Sequence, residues 1–153
     1  MGPRLDYRKA APEALRAMLG LEAATGPQSG LPPRLLHLIK IRASQINGCA
    51  FCVDMHVKEA RHDGEAQQRL DLIVAWRESP LFTNEERAVL AWTESVTRIS
   101  ETGTPDKDFV PLKEFFSEEQ IAKLTFAIVT INSWNRLAVS FRSQHPIDAA
   151  GPK

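Results

Sequence analysis

Residues 46–64 read INGCAFCVDMHVKEARHDG, and this stretch holds the chain's only two cysteines, seven and four residues ahead of a histidine. Asn47-Gly48 is a turn signal. Asp63-Gly64 closes the stretch, because glycine is the usual residue just past a helix end. The segment between them reads as a helix that starts close to Cys49. At about 100° per residue, Cys52 lies about 300° on from Cys49 and His56 about 700° on, some 20° short of two full turns. All three therefore share one face, and Cys52 and His56 are neighbours one turn apart. A helix start also presents unpaired N–H groups and the positive end of the macrodipole, both of which favour a thiolate over a thiol. A thiolate with a second thiol one turn away can be oxidised and then resolved as a disulfide, short of the irreversible acids. Gly48 lets the backbone turn tightly beside Cys49. The bland alternative makes each cysteine a small core residue. Asp54, about 140° from Cys49, reads as a solvated acid.

Working outward, apolar residues recur at three- and four-residue spacing nearly everywhere, and no segment alternates long enough to demand a strand. The fold class is all-α, with about six or seven helices in a single domain. Upstream, a helix opens near Pro12, carries Leu15, Met18 and Leu19, and ends at the Thr25-Gly26-Pro27 break. The segment TGPQSGLPP is a connection, after which Pro32 and Pro33 open a helix whose Leu35, Leu36, Leu38, Ile39 and Ile41 leave little polar surface. Downstream, Glu65 to Trp76 forms a further helix before Ser79-Pro80. Thr83 with Glu86 is a capping box ahead of Ala88, Val89, Leu90, Trp92 and Val96. Asp106 to Phe116 reads as a short helix. Ser117 then caps a last helix from about Glu118 to Ser143, which ends before His145-Pro146. The division is residues 1–30 as N-terminal helix and linker, 31–145 as the helical core with the Cys-x-x-Cys-x-x-x-His motif, and 146–153 as a C-terminal tail. The length of the last helix suits either a subunit contact or a buried central position.

Composition bounds the partners. Nineteen basic residues balance nineteen acidic ones among 153, with no dense basic patch, so neither nucleic acid nor an anionic membrane surface is expected as a partner. The first seven residues lack the long apolar run of a signal or a membrane span, and a cytoplasmic chain is expected. In that reducing compartment, a close cysteine pair is redox-active or metal-binding rather than a structural staple.

The segment QINGCAFCVDMHVKEAR resembles the core motif of the AhpD-like alkylhydroperoxidases in the carboxymuconolactone decarboxylase superfamily, and AWRESPLFTNEERAVLAW and INSWNRLAVSFR resemble its small single-core branch. The resemblance spans about Leu31 to Arg142. It implies an all-helical AhpD-like fold that assembles as a homo-oligomer, a trimer or hexamer. It also implies a thiol-dependent peroxidase that reduces hydroperoxides and is re-reduced by a dithiol donor such as a lipoyl-bearing carrier protein. Carried over, Cys52 is the thiolate that attacks the peroxide, Cys49 resolves the sulfenic acid and His56 moves the proton. No cofactor or metal is implied.

One position departs from the family pattern, a Glu followed by eleven residues and then Cys-x-x-Cys. Here that position is His37. A neutral imidazole can accept a proton as a carboxylate does, but it brings positive rather than negative charge. His37 also completes a Cys₂His₂ set with Cys49, Cys52 and His56, so a tetrahedral zinc site is a rival reading. A non-enzymatic redox sensor or oligomeric scaffold is another. The decarboxylase branch acting on lactones generally lacks the paired cysteines. In NSWNR, residues 132–136, Asn132, Trp134 and Asn135 read either as lining the same pocket and orienting a substrate or as capping and packing only, and no role is assigned to them.

Overall fold

Asp6 accepts a hydrogen bond from the Arg8 amide at 3.1 Å and so starts α1 (Tyr7–Ala10). Proline then opens α2 (Pro12–Thr25) and α3 (Pro33–Ile46), where its missing N–H costs nothing and its fixed φ suits the first turn. In this computed structural model, which describes residues 1–149, there follow α4 (Ala50–His62), α5 (Gln67–Leu72), α6 (Asn84–Thr97), α7 (Ile99–Thr102), α8 (Asp106–Phe109) and α9 (Glu118–Phe141). Two 3₁₀ turns, Ile73–Ala75 and Val110–Glu114, complete the set. The described residues are all-helical and contain no strand, as the periodicity requires. Residues 150–153 of the expected C-terminal tail lie outside the described residues.

Among the described residues, nine α-helices replace the expected six or seven, for physical reasons. The helix expected over Glu65–Trp76 begins only at Gln67, because Ala66 is extended, and it tightens into a 3₁₀ turn at Ile73. The one expected over Asp106–Phe116 divides at Val110, next to Pro111, whose ring cannot continue an α-helix without losing a bond. Two four-residue helices, α1 and α7, are too short to show periodicity. The capping signals were legible: Thr83 and Ser117 each form a full capping box, with Glu86 and Gln120 respectively.

The core lies around α3, which packs against α4, α6 and α9. Leu35, Leu38, Ile39 and Ile41 of α3 meet Val89 and Leu90 of α6 and Leu124, Ile128 and Ile131 of α9, all essentially inaccessible to solvent. Two buried carboxylates lock this arrangement. Glu94 accepts from Arg42 Nε at 2.8 Å, Trp76 Nε1 at 2.8 Å and Arg77 Nη1 at 2.5 Å. Glu86 accepts from Arg34 Nη1 at 2.9 Å and Arg69 Nη2 at 2.8 Å. Burial pushes both carboxyls up, but the hydrogen bonds and neighbouring cations outweigh it, and both rest below the usual carboxylate value. No helix of the described residues is long and apolar enough to cross a membrane.

Candidate functional site

The turn from α3 to α4 places the sulfurs. Asn47 caps α3, Gly48 takes φ 65°, and Cys49 is the N-cap of α4 in an extended conformation. Glycine reaches that positive φ without the Cβ clash that other residues meet there. The turn is held from α9: Asn47 Nδ2 donates to Asn132 Oδ1 and Asn135 Oδ1, each at 2.9 Å. Asn135 Nδ2 in turn donates to Ser44 Oγ at 3.0 Å, and Asn132 Nδ2 donates to Thr97 Oγ1 at 3.0 Å. The two asparagines that had no assigned role therefore fix the backbone just ahead of Cys49.

Cys49 and Cys52 are joined as a disulfide, with Cα atoms 5.3 Å apart. Each is 2% exposed, packed against Phe51 and Ala138. Cys49 Sγ also accepts from the Cys52 amide at 3.3 Å, so the first sulfur occupies the position that a serine or aspartate oxygen takes in an ordinary N-cap. Cys52 lines a cavity of ≈ 240 Å³, and Cys49 does not border it. His56 lines the same cavity, one turn beyond Cys52 on α4 and 5% exposed.

Glu59, three residues further along α4, holds the ring: its Oε2 lies 2.7 Å from His56 Nδ1. With Nδ1 so engaged, Nε2 is the nitrogen left for the cavity. The hydrogen bond from His56 keeps the Glu59 carboxyl below its usual value, aided by the charges of His56, Lys40 and His37, while burial acts the other way. The cavity wall is completed mainly by Phe51, Met55, Leu19 and Trp134. Lys40 Nζ reaches Glu22 at 2.7 Å, and Trp134 Nε1 donates to the other Glu22 oxygen at 3.0 Å.

Of the four residues flagged by sequence, Cys49, Cys52 and His56 come together and His37 stands one step away. Its Nε2 is 2.8 Å from Asp63 Oδ2, and its Nδ1 is buried without a partner. His37 borders a shallow recess with Lys58, Glu59, His62 and Asp63, and Glu59 is common to that recess and the cysteine cavity. Among the described residues, no three His, Cys, Asp or Glu side chains are grouped so as to hold a metal ion. The Cys₂His₂ arrangement therefore has no geometric basis: one histidine serves Glu59 and the other Asp63. Glu59 was not singled out from sequence, although its i,i+3 spacing from His56 carries the signal. Trp134 lines the cavity, as one of the two readings of the NSWNR segment has it, whereas Lys40 and Glu22 come from two other helices and had no such signal.

A helical bundle with a buried Cys-x-x-Cys at a helix start and a histidine one turn on defines a class of protein that carries a cysteine pair and an imidazole on a single helix. The chain belongs to the carboxymuconolactone decarboxylase family, whose model matches residues 12–95. It is 41% identical over 140 residues to the uncharacterized protein YdfG of Bacillus subtilis, covering 92% of this chain and 95% of that one. The crystal structure of ATU0492 from Agrobacterium tumefaciens, described as of unknown function and as a candidate antioxidant defence protein AhpD, superposes with a TM-score of 0.94. The identity there is 56%, covering 96% of this chain and 100% of that one. An uncharacterized peroxidase-related protein with an AhpD core from Ralstonia eutropha shares the fold at a TM-score of 0.81, with 21% identity over 92% of this chain and 74% of that one. The AhpD-like resemblance read from the motif is thereby borne out.

Proposed function

We propose that this chain is a thiol-dependent peroxidase that reduces hydroperoxides through Cys52 and Cys49. In the reduced protein the Cys52 thiolate attacks the terminal peroxide oxygen and breaks the O–O bond. The alcohol leaves after taking a proton from His56, and Cys52 becomes a sulfenic acid. The Cys49 sulfur then attacks that sulfur, the proton given up by the Cys49 thiol joins the departing hydroxide as water, and the Cys49–Cys52 disulfide forms. A dithiol donor, such as a lipoyl group on a carrier protein, returns two electrons and two protons by thiol–disulfide exchange.

The observation that carries this reading is the Cys49–Cys52 disulfide, with one of its sulfurs and the His56 ring bordering a single small cavity. Both cysteines are buried, but Cys52 borders the cavity and Cys49 does not, which supports the assignment of Cys52 as the attacking group. Glu59 orients His56, and His37, paired with Asp63, adds an imidazole on the far side of Glu59 where it can pass protons toward solvent. This His37–Asp63 pair stands in for the carboxylate of the family pattern. Apolar side chains exposed along α9, Phe126, Val129 and Val139, support assembly as a homo-oligomer. A trimer or hexamer is what the family resemblance implies, and a cytoplasmic location follows from the expectation drawn from the sequence.

The deciding experiment is steady-state consumption of hydroperoxide with a panel of dithiol donors. Turnover that needs both the peroxide and a dithiol supports the reading. A disulfide that cycles with no peroxide consumed would instead make the chain a redox sensor.

A further inference from the structure

The segment ahead of α2 adds nothing to the core, since α1 has no buried residue. Yet Tyr7 and Arg8 form part of the wall of the cavity that holds Cys52 and His56. The segment is tied down at few points. The Arg4 amide donates to the Phe141 carbonyl at 3.0 Å, and Arg4 Nη1 donates to the Ser140 carbonyl at 2.9 Å, both on the last turn of α9. The Tyr7 ring stacks on Phe141 with centroids 5.4 Å apart. A second recess of ≈ 360 Å³ is bordered by Pro3, Leu5 and Asp6, and it shares Tyr7, Arg8 and Phe51 with the cysteine cavity. Tyr7 and Arg8 are thus a partition between the sulfur and an outer space open to solvent.

We infer that residues Arg4 to Arg8 are a gate on Cys52, and that Tyr7 and Arg8 select by size what reaches the sulfur. With the gate shut, the ≈ 240 Å³ cavity admits a small molecule. With Tyr7 off Phe141, the cavity and the outer recess become one space, and a bulky organic molecule or the dithiol arm of a partner reaches Cys52. A segment held by two hydrogen bonds and one ring contact, with no buried side chain, opens locally far more often than the core unfolds. The inference rests on the cavity walls rather than on peroxide chemistry, and it stands whichever reaction the cysteines perform.

The test reads access to the thiol alone. In reduced Cys49→Ser protein, where Cys52 is the one remaining thiol, alkylation rates are measured with iodoacetamide as a small probe and N-(1-pyrenyl)maleimide as a bulky one. In both Tyr7→Ala and Arg4→Ala backgrounds, the bulky reagent is expected to react at least about fivefold faster while the small one changes by less than about twofold. An unchanged pyrenylmaleimide rate in both variants overturns the gate. So does an equal rise with both reagents, which would mean altered sulfur reactivity rather than altered access. Arg4→Ala removes only a side-chain tie and keeps the main-chain bond, so it decides the matter if Tyr7→Ala fails to fold.

Discussion

Glu59 sits 2.7 Å from His56 and commits one ring nitrogen, so the imidazole is held in a fixed orientation in the cavity that Cys52 also borders. Replacing it tests the arrangement directly. Glu59→Gln keeps a hydrogen-bonding group but removes the charge, and a charge-assisted bond is worth about 1.5–3 kcal/mol. The rate of Cys52 alkylation at neutral pH is expected to fall roughly tenfold, with its pH profile moved to higher pH. An unmoved profile would show that Glu59 only packs. Cys52→Ser and Cys49→Ser are each expected to abolish dithiol-dependent peroxide turnover while the circular dichroism melt stays cooperative, and activity surviving in both would end the mechanism. His37→Glu restores the family residue; a rise in turnover would mean that histidine weakened an inherited site, and a fall that histidine is used there. The sulfurs and His56 were legible in the sequence because their geometry is internal to one helix. Lys40 and Glu22 were not, because α3 and α2 meet α4 and α9 at this cavity only in the folded chain.

Among the elements, α4 and α9 matter most to the site, and the bonds between Asn47 and the α9 asparagines are their coupling. Asn135→Ala removes a fully buried acceptor from Asn47 and the donor to Ser44, leaving polar groups unpaired at a cost of about 1–3 kcal/mol. A denaturant titration is expected to show that loss of stability, and in the reduced protein Cys52 alkylation should slow as the turn before Cys49 loosens. Helix starts were the most legible elements, since Thr83 and Ser117 carry their capping partners three residues on. Thr83→Ala is expected to lower stability by about 1 kcal/mol, read from the same titration. The break of the Glu65–Trp76 segment was not legible. Trp76 and Arg77 turn there to reach Glu94 on α6, a tertiary demand that local helix preference does not reveal.

For the whole molecule, pH is the informative variable. Glu86 and Glu94 have folded-state values below their unfolded ones, so the unfolded chain binds more protons as the solution acidifies. Their stabilisation is complete above the ordinary glutamate value of about 4.3 and is lost as pH falls through the depressed folded values. Thermal unfolding should therefore show a midpoint that is flat above that range and drops below it, and Glu94→Gln should flatten the acid limb. An unchanged acid limb in that variant would place the sensitivity elsewhere. The all-helical class was legible from periodicity alone, whereas the number of subunits depends on surfaces that only folding creates. Light scattering on the purified chain is expected to give three or six copies, and a monomer would remove the assembly from the reading.

The bridge from Asn47 to α9 has a last consequence, for how the molecule ages. Asn47 precedes Gly48, and an asparagine before glycine is prone to lose its side-chain ammonia through a cyclic imide. The resulting aspartate has two acceptor oxygens and no donor, so it would face the Asn132 and Asn135 oxygens with nothing to offer them. It would also set a negative charge beside the residue whose sulfur begins α4. On this account, the turn that sets Cys49 is where ageing of the chain shows first.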